Sequence, residues 1–313
     1  MVMLPTNPQK PTSVQPGGGF CMNVELCWGR FRRHWLRKLF PGYVQTMQAK
    51  RMGECPSCPH DIIDSRDLKY TRNVCGFSFR PEDDPYDCRN HLGFARHGFA
   101  EMFLITLAYL VLAGGCVAGV MELSSAFWIP FAALSLVELE IITFFRDPQR
   151  VIPADPDVLV SPADGTVTHI EEVEEPDFGK AVRISIFLSI FNVHVNRCPR
   201  DAEVTNIRYF PGEYLDARNP DSAVRNEQLW IDMVEPVSKR PIRVKQISGA
   251  IARRIVCWLK VGDTLTKGER IGMIKLGSRT DVLIPAGSAS EICVQVGNKV
   301  AGGATVLLKL PSG

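Results

Sequence analysis

The sequence of 313 residues predicts a mainly β protein, in which a barrel-like or sandwich-like domain follows a membrane helical hairpin and a small cysteine-rich region. Three observations support this prediction. After residue 150, short apolar runs alternate with turn signals at a spacing of about ten residues, as in β sandwiches and barrels. Positions 102–121 carry no charge, and six of the ten cysteines lie before residue 90.

The composition excludes several classes of protein. With 45% hydrophobic and 22% charged residues, the chain is apolar enough to form a core and is not intrinsically disordered. The net charge of +2 gives no global field, so we expect no nucleic-acid partner. Ten cysteines are too dilute for a disulfide scaffold and no secretory signal is recognisable, so we expect reduced thiols.

Residues 1–20 are rich in proline, glycine, serine and threonine, and they predict a disordered lead. The following segment WGRFRRHWLRKLFPG (28–42) has its apolar residues at helical spacing and its arginines largely on the remaining surface. Two interpretations stay open. The basic helix lies at the interface of an anionic membrane, or it packs on its own small domain with its basic face in solvent.

We assign residues 21–98 to this basic helix and a cysteine-rich region that is a candidate zinc site. Its cysteines have the spacing C-x2-C-x16-C-x12-C, and two thiolates two residues apart can reach one tetrahedral zinc ion. The second pair is not close in sequence, so His60 or His91 is an alternative fourth ligand, and a redox or incidental grouping remains the other interpretation. The candidate ligands of this structural zinc are Cys55, Cys58, Cys75 and Cys88.

Residues 99–145 predict a membrane-associated helical hairpin. The uncharged run 102–121 spans about 30 Å as a helix, the thickness of the hydrocarbon layer, and the alternative is a buried soluble helix. The second apolar run, 123–137, contains Pro130 and is followed by Glu138 and Glu140, so a second span is marginal. Basic residues flank both ends of the hairpin, which predicts that both flanks lie in the cytoplasm.

Residues 146–313 form the predicted β domain, which contains a weak internal repeat. Segments 261–272 (VGDTLTKGERIG) and 296–307 (VGNKVAGGATVL) share one pattern and predict lipoyl-like hairpins in a barrel made of two similar halves. The alternative function that follows is a lipoyl- or biotinyl-like carrier, with Lys275 as the modified residue, or a membrane adaptor module.

A Gly-Ser pair in the sequence KLGSRTD permits an uncommon reaction. The hydroxyl of Ser278 can attack the carbonyl of Gly277, which converts the amide to an ester, if a base removes the proton. Elimination from that ester leaves dehydroalanine, which hydrolyses to a pyruvoyl group. The base would be a histidine oriented by a carboxylate, as His194 and Asp164 would provide. Taken singly, Asp164 and Ser278 have the simpler interpretation of turn residues, and His194 that of a structural histidine.

The motifs FFRDPQRVIP (144–153), SPADGTVTHI (161–170), FLSIFNVHVNR (187–197), QISGAIARRIV (246–256), VGDTLTKGERIGMIKLGSRTDVLIP (261–285) and VGNKVAGGATVL (296–307) occur in this order along the chain. Together they resemble the phosphatidylserine decarboxylase family, in its shorter bacterial and archaeal branch. The resemblance covers roughly residues 92–310 and leaves the cysteine-rich region outside.

The resemblance implies a pyruvoyl-dependent carboxy-lyase that converts phosphatidylserine to phosphatidylethanolamine and CO2 by Schiff-base chemistry. It implies self-cleavage between Gly277 and Ser278, with Ser278 becoming the pyruvoyl group and with His194 and Asp164 as catalytic partners. The cleaved α and β chains would form a heterodimer, or a dimer of heterodimers. The resemblance also implies the cell membrane as location, and the positive flanks place the catalytic domain on its cytoplasmic side.

Two positions distinguish the chain from the longer members of the family. The cleavage site reads Leu-Gly-Ser followed by Arg279, which is the form of the shorter branch. Longer members carry a second histidine three residues before the first, and here that position is Phe191. Either His194 then serves both cleavage and the later protonation, or water supplies the proton.

Overall fold

The structure, a computed structural model, describes residues 7–177, 179–250, 254–275 and 277–311. Five α-helices occur in this part of the chain: α1 Phe20–Leu39, α2 Pro41–Lys50, α3 Phe99–Glu122, α4 Trp128–Phe144 and α5 Ser222–Arg225. The strands are β1 Val158–Val160, β2 Gly165–Glu175, β3 Gly179–Leu188, β4 Val195–Arg197, β5 Ala202–Phe210, β6 Gln228–Val234, β7 Pro241–Ser248, β8 Arg254–Cys257, β9 Thr264–Leu265, β10 Arg270–Lys275, β11 Ser278–Pro285, β12 Glu291–Ile292, β13 Lys299–Val300 and β14 Val306–Lys309.

The β domain consists of one large sheet and two small ones, which confirms the prediction of a mainly β protein. The large antiparallel sheet has eight strands in the order β13-β2-β3-β11-β7-β6-β5-β9 and curls into a half-barrel. The small sheets have the orders β1-β14-β12 and β4-β10-β8. Apolar side chains from all three sheets meet in one core that includes Leu159, Ile186, Ile231 and Ile274.

The strand order is symmetric about the central pair β11 and β7. Each of the two repeated segments contributes first an edge strand of the large sheet, β9 or β13, and then the middle strand of a small sheet, β10 or β14. Gly268 and Gly303, at matching turns, both have positive φ angles, of 81° and 77°. The topology therefore agrees with two similar halves. A lipoyl-like hairpin is not confirmed, because the two strands of each segment belong to different sheets.

The central strand β11 is buried on both faces from Ser278 to Ile284. Such burial predicts a continuous apolar run, yet the first half of the strand is polar. Arg279 and Asp281 resolve this conflict by pairing with each other, because the Nε atom of Arg279 donates to Oδ1 of Asp281 at 2.7 Å. The middle of the sheet therefore carries a buried polar segment directly after the Gly-Ser pair.

Helices α3 and α4 form an antiparallel pair, and both are long and apolar enough to cross a membrane. About a tenth of each apolar window is buried within the protein, so their apolar surfaces are largely exposed. Glu138, the predicted obstacle to a second span, turns toward α3 and accepts a hydrogen bond from the Thr106 hydroxyl at 2.5 Å. One turn away, the hydroxyls of Tyr109 and Ser135 are 3.1 Å apart.

The predicted disordered lead differs from the structure where it is described. Residues 1–6 lie outside the described residues, whereas residues 7–19 contact the β domain. Gln9 pairs with Tyr209 through two backbone hydrogen bonds, and the amide of Cys257 donates to the carbonyl of Val14 at 2.9 Å. Val14 is fully buried between the end of α4 and the strands β4, β8 and β10, and this apolar contact holds a segment whose composition suggests a flexible linker.

The cysteine-rich region consists mainly of turns and short 3-10 helices around two small apolar clusters. One cluster contains Val44, Met47 and Ile63, and the other contains Ile62 and Leu68 beside the cysteines. The region also contacts the β domain, because Nη1 of Arg72 lies 2.8 Å from a carboxylate oxygen of Asp263.

Candidate active site

The Gly277–Ser278 peptide lies where the chain passes from the small sheet into the centre of the large one. Strand β10 ends at Lys275, and β11 begins at Ser278 between β3 and β7. Ser278 is paired with Leu188 on one side and with Ser248 on the other. Gly277 has a φ of 61°, a conformation that glycine adopts far more readily than other residues.

The pairing of β4 with β10 brings His194 to this peptide. His194 directly precedes β4, and the ladder places Val195 opposite Met273. The Gly277 amide donates to Nε2 of the imidazole at 3.2 Å. On the other side of the ring, Nδ1 lies 2.8 Å from the carbonyl oxygen of Asn192. Since a carbonyl only accepts, Nδ1 carries the proton and Nε2 presents its lone pair to the Gly-Ser peptide.

Burial keeps this imidazole neutral. Loss of solvation lowers the pKa of His194 to about 4, and the nearby guanidinium of Arg146 acts in the same direction, while the bond to Asn192 opposes them. Phe144, the last residue of α4, covers the ring with the two ring centres 4.3 Å apart. His194 is therefore an unprotonated base at neutral pH, and the hairpin forms part of its environment.

The hydroxyl of Ser278 is fully buried and has no hydrogen-bond partner among the described residues. The same holds for the hydroxyl of Ser248, its neighbour across the ladder. Unsatisfied buried hydroxyls cost free energy and are uncommon in folded proteins. Two such hydroxyls at one point of a central ladder indicate a reactive site rather than a stabilising network.

Because Gly249 has no side chain, there is room beside it for the Gly277 carbonyl. A Cβ atom added to Gly249 would lie 2.4 Å from the carbonyl oxygen of Gly277 and 3.2 Å from its carbon. Real Cβ atoms do not approach a backbone oxygen this closely. The absence of a side chain at Gly249 therefore permits the position of the carbonyl that the serine would attack.

Asp164 lies apart from this group. Its carboxylate accepts from the Arg150 guanidinium at 2.8 and 2.9 Å and from the Gly302 amide at 2.8 Å. Among the described contacts of His194, the group that orients the ring is the Asn192 carbonyl and not this carboxylate. The structure thus brings His194, Gly277 and Ser278 together, and it places Asp164 in the neighbouring loop.

The geometry also decides whether two further residues, Phe191 and Lys275, take part in the site. Phe191 is exposed, and its carbonyl accepts from the Arg146 guanidinium at 2.7 Å, so its side chain contributes nothing to the buried site. Lys275, the lysine of the carrier alternative, is buried and bonded to Gln15 at 3.1 Å and to Glu101. A carrier lysine must be exposed to its modifying enzyme, so the geometry opposes that alternative.

The structure gathers three of the four predicted zinc ligands. The sulfur atoms of Cys55, Cys58 and Cys75 lie within 4.8 Å of one another, so one metal ion could be held by all three. Cys88 does not join them, because it lies exposed in a short 3-10 segment at the surface.

Neither alternative fourth ligand is brought to the three sulfurs. Nε2 of His60 lies 2.9 Å from the carbonyl oxygen of Asp67, and His91 is exposed beside Asp87. The donor set that the structure shows is therefore three cysteines.

Sequence reasoning missed three residues of the site: Asn192, Ser248 and Gly249. Asn192 and the Ser-Gly pair lie within or beside motifs that carry the resemblance, in IFNVHVNR and QISG. The residue types alone do not mark these positions as part of a site, because asparagine, serine and glycine are ordinary constituents of turns. Their proximity to the Gly-Ser peptide depends on the β4–β10 and β7–β11 pairings.

Comparison with known proteins identifies the family of this chain. Residues 139–308 match the family described as phosphatidylserine decarboxylase. The phosphatidylserine decarboxylase proenzyme of Rhodopirellula baltica is 44% identical over 248 residues, which cover 79% of this chain and 100% of that protein. The proenzyme of Trichlorobacter lovleyi is 44% identical over 202 residues, 64% of this chain and 90% of that protein. The chain belongs to the phosphatidylserine decarboxylase family.

Proposed function

We propose that this chain is a proenzyme that cleaves itself between Gly277 and Ser278, with His194 as the base and Ser278 as the nucleophile. The mature protein is a carboxy-lyase that converts phosphatidylserine to phosphatidylethanolamine and CO2, the activity of its family. The observation that carries the proposal is the position of the neutral His194 Nε2 at the amide of Gly277, the residue before Ser278, whose buried hydroxyl has no partner among the described residues.

The cleavage follows from these groups. In this structure the Nε2 lone pair accepts from the Gly277 amide, so that hydrogen bond must break before His194 acts as the base. His194 then removes the hydroxyl proton as Ser278 attacks the Gly277 carbonyl, and the backbone amide becomes an ester. We assign the charge that develops on the carbonyl oxygen to the hydroxyl of Ser248 as donor, because Ser248 is paired with Ser278 across the ladder and its hydroxyl has no other partner among the described residues. Loss of the α proton from Ser278 then releases the Gly277 carboxylate and leaves dehydroalanine. Addition of water with release of ammonia completes the pyruvoyl group.

The residues present fit this group. A pyruvoyl at position 278 needs a serine preceded by a flexible residue and shielded from bulk water, and Ser278 is fully buried after a glycine with positive φ. When formed, the pyruvoyl group supplies an electron sink for the loss of CO2 from an amino acid. The protein contributes a dry environment around position 278 and the neutral imidazole of His194 beside it.

We assign Asp164 a positioning role in this proposal. Its ion pair with Arg150 and its bond to Gly302 hold the loop 161–165 in place. The carbonyl of Pro162 in that loop accepts from the amide of Arg197 at 2.8 Å, on the strand that directly follows His194. Asp164 therefore supports the base through the loop and β4.

The cleaved chains are expected to remain together as an α/β heterodimer. The carboxy-terminal chain contains β11, which is hydrogen-bonded on both sides, to β3 and to β7 of the other chain. It also contains β13 and β14, which pair with β2 and β1. Separating the chains would break the centre of the large sheet. A further dimer of heterodimers stays a prediction.

For the location we propose the cell membrane, with the β domain on the cytoplasmic side. The two apolar helices support membrane association, and the basic residues on both flanks of the hairpin support the orientation. Both ends of the hairpin meet the β domain near His194, where Phe144 and Phe145 are buried. The site therefore lies at the level at which a lipid headgroup would approach it.

We propose zinc as the cation of the three-cysteine cluster. Thiolate ligands favour zinc, and the Cys75 side chain is buried in the small core of Ile62 and Leu68. A cation there would crosslink two segments of a region that has little regular structure. This zinc would be structural and take no part in decarboxylation.

Replacing Ser278 with alanine tests the cleavage directly. The S278A chain has no nucleophile, so it should stay uncleaved at the full mass of 34.9 kDa and should not react with carbonyl reagents. Intact-mass spectrometry provides the measurement. The control is S290A, which removes an exposed hydroxyl elsewhere in the same carboxy-terminal segment and should be cleaved normally. A normally cleaved S278A chain would refute the proposal.

The pH dependence of cleavage tests the environment of His194. The base is active when neutral, and its pKa is about 4, so the cleavage rate should be constant from about pH 5 to 8 and fall at lower pH. D164N should slow cleavage without moving this midpoint, since the carboxylate contacts Arg150 and Gly302 instead of the imidazole. A midpoint above pH 6 that shifts in D164N would show that Asp164 pairs with His194 directly.

Replacing Gly249 with alanine tests the position of the scissile carbonyl. The added methyl group would lie 2.4 Å from the Gly277 oxygen, so the carbonyl must move. A displacement of this size should slow cleavage by about a hundredfold while the fold is retained. The control is G287A, because a Cβ atom there meets nothing within 4 Å. Equal cleavage rates for the two variants in a time course would contradict the proposed geometry.

Metal analysis tests the zinc assignment. The purified protein should contain one zinc ion per chain by elemental mass spectrometry, and C75S should lose it, since two thiolates hold zinc poorly. The matched control is C293S, which removes an exposed cysteine of the β domain and should keep the zinc. Cleavage at Ser278 should proceed in both variants. A wild-type protein without zinc, whose Cys55 and Cys58 are found as a disulfide, would overturn the assignment.

A further inference from the structure

Helix α1 has an amphipathic pattern opposite to that of a soluble surface helix. Its buried residues are Gly29 and Arg33, whereas its tryptophans and phenylalanines face outward. In a soluble protein the apolar side of a helix normally faces the core. The interpretation of a helix with its basic face in solvent places the arginines outward, and two of them, Arg32 and Arg33, do not lie there.

The inward face of α1 is held by ion pairs to the cysteine-rich region. Arg33 is buried, and its Nη1 donates to Oδ1 of Asp67 at 3.0 Å. Arg32 pairs with the buried Asp64 and donates to the Tyr86 hydroxyl at 2.9 Å. Both arginines have their partners on one side of α1. Turning the helix would leave these buried charges unpaired, so the ion pairs fix its rotation.

The outward face of α1 is a continuous apolar stripe, which we call the aromatic stripe. Its members follow one another at intervals of three or four residues and therefore lie along one side of the helix. Trp28, Phe31 and Trp35 are 51%, 52% and 41% exposed, and their rings contact one another in sequence. The full stripe consists of Phe20, Val24, Trp28, Phe31, Trp35 and Leu39, all of them exposed.

The aromatic stripe begins beside the foot of the apolar hairpin. Phe20 and Cys21, at the start of α1, line one cavity with Glu101 and Ile105 of the first turns of α3 and with Phe144 at the end of α4. This is the level at which α3 and α4 leave the β domain. The exposed stripe therefore starts where the exposed apolar surface of the hairpin starts.

We propose that the aromatic stripe lies in the interface of the same lipid bilayer that holds the hairpin. Tryptophan and phenylalanine favour the headgroup boundary, and exposed apolar stripes of this length are costly in water. The exposed basic side chain of Lys38, three residues after Trp35, borders the stripe, which suits an anionic lipid surface. The cysteine-rich region then has a function, which is to hold α1 in the rotation that turns its aromatic residues to the lipid.

The proposal rests on the membrane location proposed above and does not depend on the decarboxylation. A second copy of the chain is the other occupant that an aromatic face would accept. The aromatic stripe is continuous with the apolar surface of the hairpin, and this favours lipid over a second copy as its occupant. A protein that covered the stripe would have to end where the bilayer around the hairpin begins.

Tryptophan fluorescence in vesicles of phosphatidylcholine and phosphatidylglycerol tests the proposal. The chain has five tryptophans, of which Trp128 lies in the hairpin, so W128F is the parent protein. Lipids brominated on the acyl chains quench only tryptophans in contact with them, and acrylamide quenches those in water. The parent should lose intensity to the brominated lipids, and W128F/W28F/W35F should lose most of this response.

Two controls separate the possible failures. W128F/W258F removes a tryptophan that stacks on His97 inside the protein, and its lipid quenching should equal that of the parent. Comparison of wild-type protein with W128F reports whether the hairpin itself is in the bilayer. If Trp128 is quenched by lipid while Trp28 and Trp35 respond only to acrylamide, the stripe faces water and the inference is wrong. If they respond to neither quencher, protein covers the stripe, which also overturns it.

Discussion

The hydrogen bond from the Gly277 amide to Nε2 of His194 is the interaction on which the proposed chemistry depends, because it fixes the imidazole at the Gly-Ser peptide. It requires that β10 and β11 lie in different sheets, so that the chain crosses between them at a glycine. It also requires a buried imidazole, because a solvated histidine would be partly protonated near neutral pH and would lose the lone pair that the reaction uses. The large sheet, with β11 at its centre, holds the nucleophile in place.

The segments that precede the β domain also contact the surroundings of His194. Phe144 ends the apolar hairpin against the His194 ring, so the element that we propose to meet the membrane also excludes water from this imidazole. Val14 packs into the same cluster, and the Lys275 ammonium, two residues before the scissile glycine, is bonded to Gln15 of the amino-terminal segment and to Glu101 of α3. The apolar hairpin and the buried imidazole of His194 thus share their contacts.

The sequence predicted the strands, the first apolar helix and the pair formed by His194 and the Gly-Ser peptide, because apolar periodicity and short motifs are local properties. It did not predict which acceptor orients His194. A carboxylate was the chemical expectation, yet Asp164 is bound by Arg150, and a backbone carbonyl at Asn192 takes its place. Periodicity likewise showed two faces on α1 but not which one is buried, since that depends on Asp64 and Asp67, more than thirty residues away.

The central claim is that Ser278 becomes the amino-terminal group of a new chain. Intact-mass spectrometry of the wild-type protein tests it most directly. The account predicts two chains, one ending at Gly277 and one comprising residues 278–313, with the second lighter by one ammonia than a chain that begins with serine. A single uncleaved chain, or a second chain that begins with unmodified serine, would contradict it.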